Sequence, residues 1–200
     1  FMSSQFMISL LAGSISHFGF GGQLDRTEMA EVRCPTVLGI GVSTDIPFCD
    51  VLIQQEASLG AIVMVPPRSG DVAISFNLHN RHTYSEEETR NGSAYAEYTA
   101  EVAVASLDGE VFARRFVLSE FRSEIDLIDR ISGGAGPTGV KAVAPVGSER
   151  VFVTIPEGVS EVSIVGQSLD IVQFGRRESV RGLGRPVAVI SDVRLEYGID

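Results

Sequence analysis

The sequence predicts an all-β fold, a jelly-roll-like or Greek-key β-sandwich with an extended N-terminal arm. Three observations predict it. Roughly ten short apolar or alternating runs recur at intervals of about 8–12 residues. Gly- and Pro-containing turns separate them, and almost no stretch carries a helical period. A chain of 200 residues, 44% of them hydrophobic, buries a core between two facing sheets without staples.

Residues 1–24 read as the arm and 25–200 as one sandwich domain. The arm is Ser/Gly/Phe-rich, and Gly19-Phe20-Gly21-Gly22 separates it from the domain. Phe6, Phe18 and Phe20 would be a liability if left bare on a monomer, so they are candidate partner-binding residues. Residues 26–33 fit one helical turn or a strand entry. Thr36 to Val42 is a β-type run interrupted by glycine. Cys34 and Cys49 flank it and are the candidate disulfide; two buried thiols are the alternative, and the compartment decides between them.

Asp50 to Gln54 and Ala61 to Val65 read as strands, and Pro66 to Gly70 as a firm stop. In Asp71 to Leu78 the residues Val72, Ile74, Phe76 and Leu78 share one face. His79 to Ser93 is the most polar window of the chain and reads as a long loop. The stretch from Tyr95 to Phe121 then reads as two long strands joined at Leu107 to Glu110, with Asp108-Gly109 supplying the positive-φ turn. Apolar residues on both faces make this hairpin a covered, central element.

Ser132 to Gly139 is a flexible glycine loop. Val140 to Val146, Arg150 to Ile155, Ser160 to Val165, the short Ile171 to Phe174 and Pro186 to Tyr197 read as strands. Between the last two lies the one basic stretch of an acidic chain, with Arg176, Arg177, Arg181 and Arg185. Guanidinium groups at that density fit an anionic glycan, a carboxylate-rich partner or the acidic face of a neighbouring subunit.

The net charge of −10 and the lack of a basic face exclude nucleic acid as an expected partner. No run of about 18 apolar residues supports a membrane-spanning helix. No Gly-x-Ser-x-Gly elbow or Cys/His pair appears, so the sequence leans away from an enzyme. The polar window supplies a ligand-loop candidate in His79, His82, Tyr84 and Glu86. A spacing of three on a strand puts the two imidazoles on opposite faces, so no metal site is expected. Carboxylates at Glu86 to Glu88 or at Asp126 and Asp129 are of the type Ca2+ uses, without a fixed ligand spacing; no other cofactor is indicated. Asn91-Gly92-Ser93 fits the N-glycosylation pattern.

Val187 to Tyr197, with its Asp192-Val193-Arg194-Leu195 core, resembles the closing strand of jelly-roll carbohydrate-binding modules. Val151 to Val165, around Pro156-Glu157-Gly158, resembles their paired strands. Virion capsid and decoration proteins share such strands. The resemblance implies a jelly roll; the absence of Trp departs from the sugar-binding pattern. The expected function is therefore a non-catalytic structural or interaction protein. It would assemble with itself or a larger particle in an extracellular, periplasmic or particle-associated setting. The alternatives are an extracellular carbohydrate-binding module and a hydrolase on the same scaffold.

Overall fold

The structure, a computed structural model, describes residues 24–84, 86–131 and 142–199. The described residues form twelve strands: β1 (Leu24–Met29), β2 (Val32–Arg33), β3 (Val37–Ile40), β4 (Pro47–Leu52), β5 (Ala61–Met64), β6 (Val72–Tyr84), β7 (Ala96–Ser106), β8 (Val111–Phe121), β9 (Ala142–Ile155), β10 (Glu161–Gln173), β11 (Arg176–Val180) and β12 (Pro186–Ile199). One short helix, α1 (Glu86–Arg90), lies between β6 and β7.

The strands form two antiparallel sheets. The first has the order β3-β4-β12-β6-β9, with β1 also on β12; the second has the order β2-β5-β10-β7-β8, with β11 also on β10. The pairs β7–β8, β6–β9, β5–β10 and β4–β12 nest inside one another and alternate between the sheets. That nesting is a long paired ribbon rolled over on itself, the jelly-roll arrangement. The Tyr95–Phe121 hairpin is the innermost turn of the ribbon: β7 and β8 pair from Ala96↔Phe121 to Ala105↔Val111. It is not the covered, central element expected, because β8 is the edge of its sheet and alternate side chains such as Phe116 and Leu118 face solvent. The connections leaving β4, β6, β8 and β10 therefore emerge at one end of the sandwich.

The core follows from strand period two. Val72, Ile74, Phe76 and Leu78 of β6 meet Tyr98, Ala100, Val102 and Val104 of β7, with Val153, Ile155, Ile164, Ile190 and Leu195 closing the cluster. Gly166 is required where the sheets approach: a Cβ there would sit 2.3 Å from Val187 Cγ2 and 3.0 Å from the Leu52 carbonyl carbon. Cys34 and Cys49 are joined by a disulfide. The chain passes from the first sheet (β1 on β12) to the second (β2 on β5) and back (β3 on β4). The disulfide staples that crossing to β4.

Several expectations are corrected. His79 to Ser93 is not one loop: β6 continues to Tyr84 and α1 follows. Arg176 to Val180 forms the strand β11 rather than a loop. Val140 to Val146 and Arg150 to Ile155 are halves of one strand, β9, irregular where it passes β6 between Leu78 and Asn80. Ile171 to Gln173 completes β10. Of the two readings of residues 26–33, the strand entry is the one found.

Candidate functional site

The two histidines of β6 lie on opposite faces of their strand. His79 faces outward, where Phe48 meets its ring edge-on at 5.8 Å. Its Nδ1–H donates to the Gly147 carbonyl at 2.6 Å, which leaves Nε2 to accept from Ser191 Oγ at 2.8 Å. Burial pushes its pKa below the ordinary value, against the bond to Gly147. His82 faces inward. It stacks on Phe121 at 3.9 Å and hydrogen-bonds the Tyr98 hydroxyl through Nδ1. Burial lowers its pKa to about 4 and raises that of Tyr98. The expected ligand pair is thus divided between two environments.

His79 and Ser191 have the separation of a base and a nucleophile. They are 1% and 4% exposed, however, and Phe48, which meets the His79 ring, packs in turn with Ile131 from another part of the chain. The segment after β8 crosses the outer face of the first sheet: Ile131 bridges Val143 on β9 and Gly41 beyond β3. Ile131 packs with Phe48, Val189, Leu38 and Ile46. Asp129 pins this strap. Its carboxylate accepts from the backbone N–H of Ser43 (3.1 Å) and Thr44 (2.8 Å) and from Thr44 Oγ1 (2.6 Å). Burial works against that charge, but the bonds from Thr44, Arg130 and Ser43 hold the pKa below the usual carboxylate value. Nearby, the buried Asp50 carboxylate pairs with Arg81 at 3.0 Å; burial raises its pKa and Arg81 opposes the rise. Asp129 thus holds the strap to Ser43 and Thr44, while His79 pairs with Ser191 and Asp50 with Arg81 within the sheet.

Among the described residues, no three His, Cys, Asp or Glu side chains group to hold a metal ion. Asp126 and Asp129 are separated in role: Asp126 caps the turn at Ser123, accepting from Arg122 N at 2.7 Å, while Asp129 holds the strap. Phe6, Phe18, Phe20 and the glycine loop lie outside the described residues, as do the side chains of Tyr84 and Glu86.

The surface is where chemistry is left open. The four arginines Arg176, Arg177, Arg181 and Arg185 are all exposed on or beside β11. Arg181 reaches Asp170 at 3.6 Å; the other three have no ion pair with a described residue. Phe174 and Gly175 form the two-residue turn between β10 and β11, both at positive φ (50° and 72°). Glycine suits that turn; a bulky aromatic there is strained, and Phe174 is 68% exposed. At the opposite edge of the same sheet, a groove of about 520 Å3 runs over β7 and β8, lined by Glu97, Thr99, Leu118, Glu120, Arg122 and Asp126. A second, apolar groove of about 270 Å3 lies between β1 and β4 beside the disulfide.

Sequence reasoning found the arginines but missed Phe174, the β7–β8 groove and the Ser191 partner of His79. Phe174-Gly175, directly after the apolar run Ile171-Val172, was the available signal for the tip. The other two arise from pairing across distant strands, which local pattern does not carry.

No family model matches the chain, and no curated protein matches it. Among solved structures it is similar to the infectious bursal disease virus VP2 subviral particle, at 13% identity and a TM-score of 0.18. The match covers 86% of this chain and 40% of that one, and a score so low bears no weight. What stands on the structure itself is an all-β sandwich of two antiparallel sheets.

Proposed function

We propose that the chain is a non-catalytic structural subunit that assembles with copies of itself, alone or within a larger particle. One observation carries the reading: apolar side chains stand bare on the two edge strands that meet along one side of the sandwich. Phe116 (54% exposed) and Leu118 (66%) project from β8, and Phe152 (54%) from β9. Exposed aromatic surface on edge strands invites association. The edges themselves are guarded against indiscriminate strand pairing. Asn80 Nδ2 donates to the Val117 carbonyl on β8, Arg115 Nη2 donates to the Phe152 carbonyl on β9, and Ile128 and Ile131 pair with β9 at Pro145 and Val143. An edge so blocked associates through side chains, with defined geometry.

The arm residues Phe6, Phe18 and Phe20 are assigned a second contact in the same assembly. The disulfide fits an oxidising setting, outside the cytoplasm or on a particle surface. Light scattering of the full chain over a range of concentrations tests the proposal. The expected mass exceeds one chain. Phe116→Ser with Phe152→Ser, or removal of residues 1–24, is expected to reduce it toward a single chain with circular dichroism unchanged. A wild-type chain that stays monomeric at the highest concentration overturns the proposal. A mass unmoved by the truncation removes the arm from it.

A further inference from the structure

We propose that the β10–β11 turn of one copy seats in the β7–β8 groove of the next, joining subunits edge to edge through their second sheets. The contact rests on the self-assembly reading and specifies its geometry. The cross-strand register places both halves at one height. Arg177 lies opposite Val172, Val172 opposite Glu97, and Glu97 opposite Glu120. Register partners share a face, so these four residues form a single row across the sheet. The row is basic at the β11 edge and acidic at the β8 edge. Moving a second copy sideways in the plane of the sheet brings Arg177 of one against Glu120 of the other.

The shapes agree with the charges. The turn presents Phe174, 68% exposed, at a positive φ that is unfavourable for an aromatic residue. The groove offers one apolar side chain, Leu118, 66% exposed and opposite Thr99. Its carboxylates outnumber its one guanidinium: Arg122 pairs with Glu120, while among the described residues Glu97 accepts only from the Tyr95 hydroxyl and Asp126 from the backbone at Arg122 and Ser123. A phenyl ring laid on Leu118 covers both apolar side chains, and Arg177 beside Glu97 and Glu120 balances the groove's excess negative charge: an aromatic anchor ringed by complementary charge. Charge and register favour a second copy of this chain as the occupant. The acidic surface needed by the arginines is present on the same molecule, on the opposite edge, in register. Such a contact is heterologous, with different surfaces on the two partners, and generates rings or open chains rather than a two-fold dimer.

Complementation between variants tests it. Phe174→Ser with Arg177→Ser removes the turn's half; Glu97→Arg with Glu120→Arg removes the groove's half. All four positions are at the surface, and circular dichroism confirms that each variant folds. Each alone is expected to raise the concentration of half-assembly by about tenfold or more. Mixed, the two variants are expected to associate at a lower concentration than either alone, because the intact groove of one meets the intact turn of the other. Either variant assembling as the wild type does, or a mixture that remains monomeric, overturns this contact while leaving self-assembly standing. A monomeric wild type overturns both.

Discussion

At the scale of single residues, the inward histidine makes the fold sensitive to acid. His82 is buried between Phe121 and Tyr98, and desolvation holds its pKa at about 4, well below the usual value near 6.5. Between those values the unfolded chain binds a proton that the folded chain excludes. Stability is therefore full above about pH 6.5 and falls as the pH drops toward 4, by about 2–3 kcal/mol from this group. His79, also lowered by burial, acts in the same direction. Urea unfolding at pH 6.5 and pH 4.5 measures the slope. His82→Gln retains a polar partner for the Tyr98 hydroxyl but cannot titrate, so its stability is expected to change less between the two pH values. Equal slopes for the two proteins would exclude His82 as the source. Asp129 acts lower on the scale: its depressed pKa means its bonds to Ser43 and Thr44 weaken only as the pH falls below the ordinary carboxylate range.

At the scale of elements, the disulfide and the strap secure the parts that the central strands do not. β1, β2 and β3 are short and pair on one side only, so each adds little burial. The Cys34–Cys49 cross-link closes a loop over a separation of 15 residues, which limits the unfolded chain and is worth about 3 kcal/mol. Reduction, or Cys34→Ser with Cys49→Ser, is expected to lower the thermal midpoint and to expose β1 to β3 first to a protease. A midpoint unaltered by reduction would show that packing alone holds this crossing. The elements also show where sequence is readable. The alternation Val72-x-Ile74-x-Phe76-x-Leu78 announces β6 because one face meets apolar neighbours and the other stays polar. The same strand is illegible from His79 to Tyr84. There the outward His79 is polar yet buried by partners from distant parts of the sequence, Gly147 and Ser191, and an irregularity between Leu78 and Asn80 shifts the strand's register with β9. The arginine hairpin fails for a related reason: β11 is exposed on nearly every residue, so no apolar period marks it. Local pattern reports local burial, and these segments owe their structure to partners supplied from elsewhere.

At the scale of the whole molecule, the nested ribbon predicts an order of stability across the sheets. β12 and β6 have strands on both sides in the first sheet, as β10 and β7 have in the second. Their side chains supply most of the fully buried core, including Phe76, Leu78, Val102, Ile164 and Ile190. Opening any of them breaks two ladders and both layers of packing, so their amides exchange only through global unfolding. β3 and β11 pair on one side, at the rim, and open locally. Hydrogen exchange of the full chain is therefore expected to protect β6, β7, β10 and β12 most and β3 and β11 least, with the disulfide intact. The pairing also joins residues far apart in sequence, such as Val72 with Ile155 and Leu24 with Ile199, so folding is slow compared with helical chains of this size. Assembly adds a contrast to the same measurement. If the β10–β11 turn seats in a neighbour's groove, β11 and the adjoining edge of β8 gain protection as concentration rises, while β3 does not. Protection of β11 equal to that of β7 in a dilute, monomeric sample would contradict the layered order, because it would place a rim strand in the cooperative centre.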